Sequence, residues 1–151
     1  MAVGNSMERL DLFGAWIAQA IFILSILVFV SRLAEKPGLE HWMGLLLLCT
    51  ALPLGYLLVR APGHQRPPLY YVQIGLMLTF LAVEFALDYA LKIEFRQVRW
   101  MVIAYVVLFF GGTGGMMGVA SEAGPRWMAS SVILFLIMAC LAFVQRAKTG
   151  M

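Results

Sequence analysis

The sequence predicts an all-α integral membrane protein: a bundle of five transmembrane helices with short loops and no soluble domain. Three observations carry that expectation. Hydrophobic residues make up 62% of the 151 residues, and the mean hydropathy is +0.88. Charged residues make up 13%, against about 25% in ordinary soluble domains, so a single core could not hide the apolar surface. The apolar residues also fall into five runs, each near the ~20 residues that cross a hydrocarbon layer as a helix. An open strand leaves backbone groups unpaired in lipid. The strict alternation of a membrane β-barrel strand is absent from the sequence.

The first run covers about 11–33. The preceding residues balance Arg9 against Glu8 and Asp11, and the run is too long for a signal-peptide core, so it is expected to stay as the first helix. The second, about 42–60, contains Pro53 beside Thr50 and Gly55, which predicts a kink. The third, about 69–93, carries Glu84, Asp88 and Lys92. The fourth, about 98–119, contains FFGGTGGMMG, and the fifth, about 127–146, contains Ser130 and Ser131. The connections AEKPGLEH, APGHQRPP, EFRQ and SEAGPR are short, so sequential helices should be antiparallel neighbours in one membrane domain, 1–151. No internal repeat is found.

Orientation follows from Lys and Arg. Four (Arg9, Arg60, Arg66, Arg126) lie on the side of the N-terminus. Seven (Arg32, Lys36, Lys92, Arg96, Arg99, Arg146, Lys148) lie on the other. The positive-inside rule then puts the N-terminus outside and the C-terminus in the cytoplasm of a bacterial-type inner or plasma membrane. Trp42, Trp100 and Trp127 start their helices, where indoles rest at headgroups. The net charge of +3 sits at helix ends and implies no nucleic-acid partner. The expected partners are membrane lipids, with self-association or another membrane protein as further candidates.

Ionisable groups in lipid are costly and mark functional positions. Helical spacing puts Gln73, Phe80, Glu84 and Asp88 on one face of the third helix. That stripe should face the bundle or a wet cavity, with Tyr70 as further polar lining. Asp88 and Lys92 are four apart, so a structural ion pair accounts for both. Arg96 and Arg99 are further candidate partners. Glu84 has only another acid one turn away, and lies roughly 10–14 Å from the helix end by helical rise. Such a carboxyl can carry a proton, bind a cation or donate a hydrogen bond to a ligand. The structural alternative is a bond from Glu84 to a neighbouring helix.

In the fourth helix Gly111, Gly115 and Gly118 share a face, and Gly114 and Gly118 repeat a four-residue spacing. Small residues spaced this way let helix backbones approach closely. The alternative is a break at Gly111 to Gly115 that lines a cavity or acts as a hinge. Gln19, Ser25, Ser130 and Ser131 read as interhelical hydrogen-bonding groups.

Several chemistries are poorly supplied. Cys49 and Cys140 sit in apolar runs without metal or redox spacing. His41 and His64 flank the second helix, about 30 Å apart by its length, and cannot share a haem iron. No His lies near Glu84 in sequence, so no metal site and no cofactor is expected. An intramembrane aspartyl protease would need a second Asp beside Asp88. The function expected is transport or binding of a small cation, proton or amphiphilic ligand at Glu84 and Asp88. The alternative is an accessory or scaffold subunit that packs through the glycine face. A lipid-modifying enzyme ranks last, because no nucleophile and base are evident.

Overall fold

The computed structural model describes residues 2–92, 94 and 97–149, with side chains placed for 9–92, 94 and 97–148. Ile93, the predicted end of the third helix, and Arg96 lie outside the described residues. The described fold is all-helical: α1 (Ala2–Leu33), α2 (Pro37–Cys49), α3 (Ala51–Arg60), α4 (Pro68–Glu84), α5 (Arg99–Ser121) and α6 (Pro125–Thr149). A 3₁₀ turn, Ala61–His64, follows α3, and a π turn, Phe85–Ala90, extends α4. Five stretches are long and apolar enough to cross a bilayer: Arg9–Leu33, Pro37–His64, Pro68–Ala90, Arg99–Ser121 and Pro125–Lys148.

The helices begin earlier than hydropathy alone suggests, because prolines start them. Pro37 and Pro68 occupy the first turns of α2 and α4, and α6 begins on Pro125. Proline suits that position, since the first N–H of a helix has no partner anyway. Inside the second span proline has the opposite effect. Pro53 has no N–H to give, and the helix is interrupted three residues earlier at Thr50. There the Thr50 N–H bonds back to the Leu47 carbonyl at 3.1 Å, a tighter turn than an α-helix makes. The α5–α6 turn relies on Gly124, whose φ of 131° is open to glycine and strained for other residues.

The tightest packing joins α4 to α5. A Cβ on Gly112 would lie 3.1 Å from the Met77 Cα, and one on Gly115 would lie 3.1 Å from the Gln73 Cα. A Cβ on Gly118 would run into the Gln73 side-chain amide. The glycine face is therefore used within the chain, as small residues in close-packed helices are. Gly111 and Gly114 point the other way, and a Cβ on either would meet nothing within 4 Å. The alternative of a break at Gly111 to Gly115 does not occur: α5 runs unbroken from Arg99 to Ser121, and α4 braces its glycines from one side.

Helix α1 packs against α2, α3, α5 and α6. Gln19 on α1 ties it to α6 by donating to the Ser131 hydroxyl at 2.7 Å and accepting from Ser130 at 3.0 Å. Ala15, Ala18, Ile21, Phe22, Leu54, Leu57, Ile74, Met77 and Met116 fill the half of the bundle nearer the N-terminus. Cys49 and Cys140 are free thiols on the outer surface rather than in the core.

Gly115→Leu is expected to destabilise the fold by at least the ~1–3 kcal/mol typical of overpacking. Gly114→Ala should leave stability unchanged or raise it by up to ~1 kcal/mol. Thermal unfolding in detergent distinguishes the two.

Candidate functional site

The close approach of α4 and α5 sets up a ladder of side chains that leads to Glu84. Below Gly112 and Met77, Phe80 meets Phe109 with ring centroids 5.1 Å apart. One turn further, the buried Glu84 carboxylate accepts a hydrogen bond from the Tyr105 hydroxyl. A buried carboxyl without a donor would be costly, and Tyr105 supplies one.

Directly after Glu84 the helix widens into the π turn Phe85–Ala90. The Leu91 N–H reaches the Ala86 carbonyl, five residues back, at 2.9 Å. Single π turns concentrate at functional sites. This one also corrects the expected Asp88–Lys92 pair. The α-helical register that would bring Lys92 over Asp88 is lost, and Lys92 lies beyond the helix with a φ of 51°. Asp88 instead lines a polar chamber.

Two chambers meet at Glu84. The first, of about 150 Å³, is aromatic, and Phe29, Phe80, Phe109 and Phe110 form much of its wall. Ser25, Glu84, Tyr105 and Gln145 supply its interior polar groups, with Arg32 and Arg146 toward the end of the bundle. The second, of about 290 Å³, is polar and is lined by Arg32, Glu40, His41, Asp88 and Tyr89 as well as Glu84. Val28, Arg32 and Glu84 line both chambers, so these three side chains form the partition. Arg32 does not neutralise Glu84 alone. Its Nε donates to Glu40 at 2.7 Å and a terminal nitrogen lies 2.6 Å from the same oxygen. Arg32 is thus engaged by Glu40, and Asp88 lies on the polar side of the partition. Tyr89 reaches the His41 carbonyl at 3.4 Å, its hydroxyl lying where Gly44 has no side chain.

The other expected lining residues lie elsewhere. Gln73 packs between the backbones at Gly115 and Gly118. Tyr70 is about 21 Å from Glu84 along the helix and belongs to the opposite end of the bundle. Its ring lies under the Arg66 guanidinium, 5.0 Å from centroid to carbon. Arg66 is itself buried. It pairs with Asp11 from α1 and lies 3.5 Å from Glu122, just past α5. Neither Gln73 nor Tyr70 lines the chambers at Glu84. Gly111, Gly114, Gly115 and Gly118 do not line them either. Among the described residues, no group of three His, Cys, Asp or Glu side chains is placed to hold a metal.

Sequence reasoning missed Tyr105, Arg32, Ser25 and Arg66 as site or hub residues. Tyr105 could have been found, as a hydroxyl inside the fourth span at the depth of Glu84. The partners of Arg66 lie 55 and 56 residues away in sequence, and no local pattern points to them.

Tyr105→Phe should cost about 1–3 kcal/mol of stability, the penalty for a buried acceptor that loses its donor. Adding Glu84→Gln should recover part of that cost. Arg66→Met should cost about 3 kcal/mol, the lower end for a buried pair losing one member, because Asp11 is partly open to solvent. Chemical unfolding in mixed micelles measures all three. Comparison with known proteins finds no matching family model, no similar curated protein and no similar solved structure, so the functional reading rests on this geometry.

Proposed function

We propose that this chain is an integral membrane protein that binds a cationic amphiphile, with the ligand's ammonium group at Glu84 and its hydrocarbon in the aromatic chamber. The outer surface supports the membrane setting. Leu52, Val59, Val107 and Phe143 are each more than 60% exposed, and soluble monomers rarely expose apolar surface on this scale. Exposed indoles, Trp16 near one end and Trp42 and Trp100 near the other, fit interfacial belts.

The observation that carries the reading is the place of Glu84 on the wall between an aromatic and a polar chamber. An amphiphile needs that arrangement: an apolar wall for its body and a charge at the boundary for its head. A cation is favoured because the acid common to both chambers is Glu84, while Arg32 is engaged by Glu40. Aromatic faces near an ammonium add cation–π attraction. The volume of the aromatic chamber suits one chain or one ring, since an apolar cavity of about 150 Å³ takes a benzene-sized guest.

Binding is favoured over transport. Both chambers lie in the half of the bundle nearer the C-terminus, while the other half is filled by apolar side chains and closed by Arg66 with Asp11 and Glu122. If the N-terminus is outside, the chambers belong to the cytoplasmic leaflet. The scaffold reading keeps less support, because Gly112, Gly115 and Gly118 are occupied by α4 and leave Gly111 and Gly114 for a partner.

The test is binding of dodecylamine and dodecanol to the protein in nanodiscs, corrected for empty discs. The wild type should prefer the amine. Glu84→Gln should weaken amine binding by roughly tenfold or more, the effect of losing a charge-assisted contact of about 1.5–3 kcal/mol, and leave the alcohol unchanged. Equal amine binding by wild type and variant would remove Glu84 from the site.

A further inference from the structure

Among the described residues, the serine and threonine hydroxyls divide into two groups. Most have a partner in the protein. Ser31, Thr50, Thr79, Thr113 and Ser121 bond back to carbonyls of their own helix at 2.5–2.8 Å. Ser130 and Ser131 bond to Gln19. Ser25 is different. It is 2% exposed, its hydroxyl oxygen has no hydrogen-bond partner, and it lines the aromatic chamber. A helical serine can bond to the carbonyl four residues back, and Ser25 does not. A buried hydroxyl left unpaired is unfavourable, and the rest of this chamber wall is mostly apolar.

Its position relative to Glu84 follows from the phenylalanine layer. Phe29 and Phe80 both contact Phe109, at centroid distances of 5.8 and 5.1 Å. Ser25 lies one turn deeper than Phe29 on α1, and Glu84 one turn shallower than Phe80 on α4. With Phe29 and Phe80 at one level, the two turns offset the backbones at Ser25 and Glu84 by about 12 Å along the bundle axis, by helical rise. The aromatic rings lie between them.

Resting on the reading of Glu84 as the ammonium site, we infer that the ligand is bipolar: a cationic head, a hydrocarbon middle and an oxygen function that hydrogen-bonds Ser25. A hydrogen bond of about 2.8 Å at each end takes up part of that span, so the oxygen stands about five bonds from the nitrogen, a length that the aromatic chamber of about 150 Å³ holds. A hydroxyl, ether or carbonyl all fit, because a serine hydroxyl both donates and accepts. Ser25 is then a specificity-determining residue. It selects among amphiphilic amines by what their chains carry, while Glu84 selects for the charge.

The experiment compares dodecylamine with a dodecylamine hydroxylated about five bonds from nitrogen, on wild type and Ser25→Ala in nanodiscs. Wild type should bind the hydroxylated amine about two- to tenfold tighter, the range of one net hydrogen bond. Ser25→Ala should lose that preference and melt no lower than wild type when empty. The inference is overturned if wild type binds dodecylamine but shows no preference, or if the preference survives in Ser25→Ala. A lower melting temperature of empty Ser25→Ala would also overturn it, by revealing a structural partner for the hydroxyl. If neither amine binds to wild type, the amine-binding reading fails and this inference fails with it.

Discussion

The rest of the structure depends on the contact between the backbones of α4 and α5. Gly112, Gly115 and Gly118 remove the side chains that would hold the two helices apart. Once the helices touch, their relative register is set, and each step along them brings a defined pair together. Gln73 lies on Gly115, Met77 on Gly112, Phe80 on Phe109, and Glu84 on Tyr105. The buried acid is thus tolerated because of glycines about two to four turns away. A larger residue at Gly115 would move Tyr105 relative to Glu84, so packing and site share one cause.

The two ends of the bundle treat charge differently. Near the N-terminus, one buried arginine collects carboxylates from two other parts of the chain and covers the ring of Tyr70. That arrangement ties three segments together and closes the end. Near the C-terminus, the charges surround space. Arg32, Glu40, Asp88 and His41 face a polar chamber, and Glu84 stands between it and an aromatic one. The π turn at Phe85–Ala90 makes this possible, because it releases Asp88 from the helical register in which Lys92 would have covered it.

How much of this could be read from the sequence varies by level. The five spans are visible in hydropathy, since lipid as solvent leaves few alternatives for an apolar run of that length. Pro53 announces the interruption at Thr50, and Gln19 with Ser130 and Ser131 announces a contact between helices. Glu84 stands out because an acid at that depth is costly. Periodicity fails where partners are needed. It tells which residues share a face of one helix, and not which neighbour that face meets. Gln73 and Tyr70 share the stripe of Glu84, yet a stripe about 21 Å long crosses most of the bundle, and its ends serve different purposes. Tyr105 is 21 residues from Glu84 in sequence, and Arg66 is still further from its partners. Ser25 is an ordinary helical serine until the structure shows that its hydroxyl has no partner.

The central claim is that a ligand's cationic group comes to the carboxyl of Glu84. Infrared difference spectroscopy of the carboxyl stretching region, recorded as dodecylamine is added to protein in nanodiscs, tests it most directly. A carboxyl band change is expected in the wild-type protein, missing in Glu84→Gln and not produced by dodecanol. A spectrum with no carboxyl change, or the same change in Glu84→Gln, would contradict it.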